Sequence, residues 1–318
     1  MRAIAVDHLG DEPTLRDLPD PEPGPGEMRL RVLAAGINPL DWKAAGGMLD
    51  DVGARYRTPL VLGFDVAGRV EQVGDGVEQF SVGDVVFGLV WPETLGHGTY
   101  AETTVVPASA ALARLPEALS FEMAAMLPMP GGTALRLVDD LAIGEGQTVA
   151  VVGAAGAVGT YAVQLASQAG AQVIGVAGRL DRSRLQEHGA GRFVDRSDPD
   201  VAASLRAIAP DGVDAIIDVT SGAEAVSALA AAVRPGGHYV SLVGSADVGA
   251  LAARDVQAEN SFYRAASEDA ERLADLVVEG RLQLPPRHVV SLDEAVDALG
   301  ALQRGERKGK FVIVPEPA

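Results

Sequence analysis

The segment "TVAVVGAAGAVGTYAVQLA" (148–166) constrains this chain more than any other. A short apolar run rich in β-branched residues, Thr148 to Val152, reads as a buried strand. It meets Gly153, Gly156 and Gly159 at a spacing of three, and then an alanine-rich helical pattern. In such a strand–turn–helix the glycines make a tight turn, let backbone approach a pyrophosphate, and let the helix pack on the strand. The helix start offers unpaired N–H groups and the positive end of its dipole to an anion. Gly153, Ala154, Ala155, Gly156, Ala157 and Val158 are therefore the candidate phosphate-binding turn. The triplet alone leaves open a plain strand–turn–helix of another α/β fold.

The surroundings favour the dinucleotide reading. Apolar strands recur at "TVAVVG" (148–153), "QVIGVA" (172–177), "RFVD" (192–195), "DAIIDV" (214–219) and "HYVSLVG" (238–244). Helical patterns separate them, among them "AVGTYAVQLASQAG" and "AEAVSALAAAVRPGG", the latter stopping at a Gly pair. Strand–helix alternation of this kind predicts a doubly wound parallel sheet, a Rossmann domain. Residues 1–118 read differently. "EMRLRVLA" alternates, with Met28, Leu30, Val32 and Ala34 on one face, and "VAGRVEQVGDGVEQF" places a Gly-Asp-Gly turn between two strand-like pieces. At the chain's end, Ser291 and Glu294 form a capping box that opens a helix, and "KFVIV" reads as a last strand. The fold class is α/β. A β-rich catalytic domain spans 1–118 and 263–318, and a Rossmann domain spans 119–262.

The second strand identifies the dinucleotide. NAD sites place an acid at its tip to accept from the ribose 2′-OH, whereas an arginine there suits a 2′-phosphate. Here the strand runs into Gly178 and Arg179, with Arg182 and Arg184 following. Asp181 comes four residues past the strand and is expected to face solvent. NADPH is the expected cofactor; the alternative is that these arginines are a solvated helix start. Ligands of such sheets lie beyond the carboxyl ends of the strands, so Thr220 and the run Val243, Gly244 and Ser245 join the candidate cofactor site.

Charge and composition exclude several other functions. A net charge of −18 opposes binding to nucleic acid or an anionic membrane surface. The chain has no cysteine, which removes disulfides, thiolate catalysis and cysteine-ligated metals. No run reaches the roughly 18 apolar residues of a spanning helix, and the acid-bearing start is no signal peptide. A cytoplasmic protein acting on a small molecule, with no metal, is expected.

Nine segments carry a family resemblance in order along nearly the whole chain. They are "AAGINPLDWK" (34–43), "PLVLGFDVAGRVEQVGDGVEQFSVGDVVFG" (59–88), "GTYAE" (98–102), "MPGGTAL" (129–135), "VVGAAGAVG" (151–159), "GVDAIIDV" (212–219), "RPGGHYVSLVG" (234–244), "VEGRL" (278–282) and "GKFVIV" (309–314). Together they resemble the medium-chain dehydrogenase/reductase superfamily, and most nearly its zinc-free quinone oxidoreductase, zeta-crystallin-like branch. The resemblance implies a GroES-like catalytic domain built from both chain ends around a central Rossmann domain. It also places Asn38 and Phe64 where metal-dependent relatives carry a zinc-ligating cysteine and histidine, and Asp65 where they carry a glutamate. With no Lewis acid, it implies hydride delivery from NADPH to a quinone or an α,β-unsaturated carbonyl, whose conjugated oxygen needs only hydrogen-bond donors.

The same resemblance nominates Asn38, Asp41 and Lys43 as catalytic. The Asn38 amide would donate to a developing enolate, and Lys43 would place charge near the substrate oxygen. The bland readings are an Asn-Pro turn, a structural Asp41 and a solvated lysine. Thr133 matches a position beside the nicotinamide, and also reads as a helix N-cap. Tyr56, Trp91 and Phe262 are candidate substrate-lining residues; isolated aromatics are more often core. His97 reads as a loop residue rather than an acid. Relatives commonly dimerise through the edge of the Rossmann sheet, with "HYVSLVG" the expected edge. A dedicated enoyl reductase of a biosynthetic pathway and a non-enzymatic NADPH-binding protein are the competing functions.

Overall fold

The computed structural model describes residues 1–49, 53–306 and 309–315. The chain divides into two compact units, Met1–Gly132 with Ala265–Ala318, and Thr133–Arg264. Residues beyond the expected crossing near 118 stay with the first unit, because the short helix Phe121–Ala124 packs on its strands Glu27–Gly36 and Asp65–Val73. Ser120 caps that helix by accepting from the Met123 amide.

The first unit is built on a sheet whose hub is Glu27–Gly36. This strand alternates in burial as its sequence does, with Met28, Leu30, Val32 and Ala34 inside. It pairs antiparallel with Asp65–Val73, with Thr103–Pro107 and with the C-terminal strand Lys310–Val314. The last pairing brings the end of the chain back beside the "AAGIN" segment: the Ile37 amide donates to the Phe311 carbonyl at 2.9 Å. After the Gly74–Gly76 turn no strand forms over 77–80, contrary to the alternating pattern, and the next begins at Val85. The Ser291–Glu294 pairing is half a capping box. Glu294 accepts from the Ser291 amide and hydroxyl, both at 2.8 Å, but the helix itself begins at Ala295.

The second unit is a six-stranded, all-parallel sheet. Its order is Arg192–Asp195, Gln172–Ala177, Thr148–Val152, Val213–Asp218, Val233–Ser241, Gln257–Asn260, that is 3-2-1-4-5-6 in chain order. This is the Rossmann order, with its crevice where the first and fourth strands part. The strands are nearly continuous apolar runs because helices cover both faces. Two expectations fail here. The strand containing "HYVS" is not an edge, because Gln257–Asn260 pairs outside it. The helix Ala223–Leu229 stops well before the Gly236-Gly237 pair, which lies within the following strand.

Candidate active site

At the phosphate turn, Gly153 has φ 82°, a left-handed value that favours glycine. A Cβ on Gly159 would stand 2.4 Å from the Gly153 carbonyl oxygen and 2.6 Å from Ala154 Cα, so only glycine lets the helix sit this close to the turn. The six candidate residues separate into two roles. The Gly153 and Ala154 amides donate to the Val176 carbonyl, each at 3.1 Å, and the Gly156 amide donates to Gly153 at 3.0 Å. These three shape the turn. The helix Ala157–Gln168 then starts at Ala157, and the Ala157 and Val158 amides have no acceptor within it, as at any helix start. With Ala155, they are the amides suited to a phosphate.

Thr220 lies just past the fourth strand, in an open cleft of about 910 Å³ lined also by Val152, Val176, Arg196 and Ser221. Its loop is braced by a residue the sequence did not single out. Asp218, fully buried at the end of its strand, accepts from the Thr220 amide (3.0 Å) and the Ser221 amide (2.9 Å) through one oxygen. Its other oxygen accepts from the Tyr239 hydroxyl, whose pKa is raised by burial and by the carboxylate. Val243, Gly244 and Ser245 follow the fifth strand, and the Ser245 amide donates to Ser241 Oγ at 3.2 Å; they do not line that cleft. Thr133 and Phe262 meet around a separate cavity of about 260 Å³ with Arg136 and Arg264. Thr133 sits inside the helix Pro128–Asp140, so it is not an N-cap.

Beyond the second strand, Gly178 leads into three arginines that diverge. Arg184 is held inward by Thr160 Oγ1, the Ala155 carbonyl and Asp181. Asp181 is therefore buried and paired, not solvent-facing. Arg182 stacks on Phe193 at 5.0 Å. Arg179 projects outward, its Nε 3.3 Å from Asp195 Oδ2. These residues fit a nicotinamide dinucleotide: a glycine-walled turn, free helix-start amides and a cation past the second strand.

In the first unit, Asn38 is buried and fully engaged. Its amide nitrogen donates to Asp65 Oδ2 at 2.8 Å and to the Gly36 carbonyl at 3.3 Å, and its oxygen accepts from Lys310 Nζ. Both donor hydrogens are spent, which removes the expected donation to an enolate. Lys310 also donates to Asp65 Oδ2 at 2.8 Å, and Asp65 Oδ1 accepts from the Met129 amide at 2.9 Å. Asp41 accepts from the Asn38 amide at 2.5 Å and from the Tyr100 hydroxyl. Burial pushes the Asp41 carboxyl up to about 7, against the pull of these donors and of Lys310. Asp41 thus accepts both bonds through one oxygen, and Lys43, half-buried on the same helix Pro39–Ala45, stands outside this cluster.

Phe64 stacks on Trp91, centroids 5.1 Å apart. Tyr56 accepts from the Leu49 amide at 3.0 Å. His97 faces the Arg57 guanidinium, and burial and that cation together lower its pKa, so it is neutral at pH 7 and no acid. A zinc ion does not fit the Asn38 corner. The donor set is a carboxamide, a phenyl ring and a carboxylate already neutralised by an ammonium, and zinc needs thiolate, imidazole or carboxylate ligands. Among the described residues no three His, Cys, Asp or Glu side chains converge on a metal position.

The family model "Alcohol dehydrogenase GroES-like domain" matches residues 24–117, and "Zinc-binding dehydrogenase" matches 188–313. An NAD-dependent alcohol dehydrogenase of Sulfurisphaera tokodaii is 29% identical over 99% of this chain and 100% of its own. The quinone oxidoreductase of Coxiella burnetii superposes with a TM-score of 0.89 at 28% identity, over 99% of both chains. An alcohol dehydrogenase superfamily protein of Novosphingobium aromaticivorans gives a TM-score of 0.83 at 31% identity, over 99% of this chain and 100% of that one.

Proposed function

The chain belongs to the medium-chain dehydrogenase/reductase superfamily, and on that premise we propose that it is a metal-independent, NADPH-dependent oxidoreductase reducing a quinone or an α,β-unsaturated carbonyl. The observation that carries this reading is the corner made by Asn38, Lys310 and Asp65. It holds a buried, internally paired cation where a carbonyl-polarising metal would otherwise be needed. An acceptor activated by its own conjugation suits such a site; an unactivated alcohol does not.

When bound, the dinucleotide supplies a hydride. The chain's part is to hold and orient it. The Ala155, Ala157 and Val158 amides take the pyrophosphate, Arg179 the 2′-phosphate, and the braced Thr220–Ser221 loop closes the cleft over the fourth strand. In the first unit, the Phe64–Trp91 stack gives a flat apolar wall suited to a planar acceptor. Lys43 is the cation assigned to the acceptor oxygen.

The test is oxidation of NADPH, followed by absorbance, with a panel of quinones and enones and with simple aldehydes as controls. Turnover of quinones or enones but not aldehydes is expected. Bound NADPH with no turnover on any acceptor would overturn the reading.

No described helix is long and apolar enough to cross a membrane. We place the protein in the cytoplasm as a homodimer joined along the open edge Gln257–Asn260, which light scattering would test.

A further inference from the structure

We propose that Asp195 sets the cofactor preference of this site, by engaging Arg179 and opposing a 2′-phosphate while tolerating a 2′-hydroxyl. The inference rests on the dinucleotide reading above and deepens it.

Asp195 and Arg179 are brought together by the sheet. Asp195 ends the third strand in register with Ala177, the last residue of the second, and Arg179 follows two residues later. The Arg179 Nε donates to Asp195 Oδ2 at 3.3 Å, although the arginine side chain is 86% exposed and the aspartate's only 16%. The carboxylate is not a loose counter-ion. Its other oxygen accepts from the Ser197 amide at 3.0 Å and the Ser197 hydroxyl at 2.8 Å. Those two bonds, with Arg179 after them, hold its pKa below the usual carboxylate range, so it is charged throughout the neutral region.

The rest of the rim carries both signs of charge: Arg196, next to Asp195 in the chain, lines the neighbouring cleft with Thr220, and Asp198 borders both depressions. Arg179, Arg182, Asp195 and Asp198 line one depression of about 480 Å³, two cations against two anions. Arg182 lies over the Phe193 ring at 5.0 Å, and Arg184 is bonded to Thr160, the Ala155 carbonyl and Asp181. A 2′-phosphate reaching Arg179 therefore meets a fixed anion on the same guanidinium. Two negative groups sharing one cation repel, whereas a neutral ribose hydroxyl feels no such penalty and can donate to a carboxylate. Arg179 and Asp195 thus pull in opposite directions, and the chain should use both reduced dinucleotides with only a small preference for NADPH.

The experiment is to titrate NADPH, NADH, 2′,5′-ADP and AMP into the whole protein by calorimetry, for wild type, Asp195→Asn and Arg179→Ala. The asparagine keeps an acceptor for the Ser197 amide, and Asp195→Ser is a second neutral variant should it fold poorly. Removing the charge should tighten NADPH and 2′,5′-ADP about tenfold. NADH and AMP should move less than about twofold, and high salt should shrink the difference. Equal shifts for the phosphorylated and unphosphorylated ligands, or none, would overturn the proposal. Arg179→Ala separates the two readings. If it weakens NADPH while Asp195→Asn changes nothing, Arg179 holds the phosphate and Asp195 has no part. If it leaves NADPH binding unchanged, the 2′-phosphate assignment itself fails.

Discussion

Lys310 Nζ lies 2.8 Å from Asp65 Oδ2, with the two side chains 2% and 0% exposed, and Asn38 completes the cluster by bonding to both. The pair is far apart in sequence, and the sheet alone brings it together, through the pairing of Lys310–Val314 with Glu27–Gly36. Gly36 makes room for it. A Cβ there would meet the Ala125 carbonyl at 2.3 Å, Lys310 Cε at 2.8 Å and Asp65 Oδ2 at 2.9 Å.

Breaking this pair should be costly because it strands a buried charge. Lys310→Met leaves the Asp65 carboxylate buried without its cation, and should lose roughly 3–5 kcal/mol of stability. Asp65→Asn on top of Lys310→Met removes the stranded charge and should recover a large part of that loss. Denaturant unfolding of the single and double variants checks both; a double variant no more stable than Lys310→Met would show that the charge is not the cause.

Much of the Rossmann unit is legible in sequence, because burial on both faces writes itself as apolar runs: Gln172–Ala177 and Arg192–Asp195 match the read strands residue for residue. The sixth strand, Gln257–Asn260, is missed because an edge strand with three exposed residues in four carries no apolar pattern. Asp181 is misplaced for a related reason, since nothing local says that Arg184 folds back to bury it. At the site, the glycine turn is visible and its division of labour is not. Which amides remain for a ligand depends on the Val176 carbonyl of the neighbouring strand. Lys310, Tyr100 and Asp218 escape notice altogether, because a buried polar residue declares itself only through partners that the fold supplies.

Asp41 makes stability depend on pH. Its folded-state pKa of about 7 lies above the ordinary 3.8, so the folded protein binds the proton more tightly than the unfolded chain. The stability this contributes is complete below the unfolded pKa and is lost as pH rises through about 7, with a slope of at most about 1.4 kcal/mol per pH unit. Asp41→Asn keeps one oxygen that can accept from both Tyr100 and Asn38 but cannot ionise. Melting temperatures of the two proteins should diverge between pH 4 and 7, the wild type falling relative to the variant. Parallel curves would mean that Asp41 does not titrate there.

Tyr239→Phe tests the brace on the cofactor loop. It deletes the hydroxyl that donates to Asp218 and leaves that oxygen buried without this donor. The cost to folding should be about 1–3 kcal/mol. Because Asp218 positions the Thr220 and Ser221 amides, the dinucleotide Kd should also rise several-fold, for NADH and NADPH alike. A stability loss with unchanged Kd for both would confine Tyr239 to the core.

Metal removal should have no effect on activity, and the reason is steric and electrostatic together. Zinc at the Asn38 corner would have to displace the Lys310 ammonium from Asp65, and Phe64 offers it no ligand. An ion entering beside that ammonium would face like-charge repulsion in a buried site, where solvent screens little. Dialysis against a chelator should therefore leave NADPH-dependent turnover of a quinone unchanged, and growth or refolding in excess zinc should leave the purified chain with substoichiometric metal. The same corner predicts what would reverse this. Asn38→Cys with Phe64→His supplies two zinc ligands, but should gain tight zinc binding only when Lys310→Met removes the competing cation. Elemental analysis of the double and triple variants distinguishes the outcomes. Tight zinc binding by the double variant with Lys310 in place would show that the lysine is no barrier to a metal.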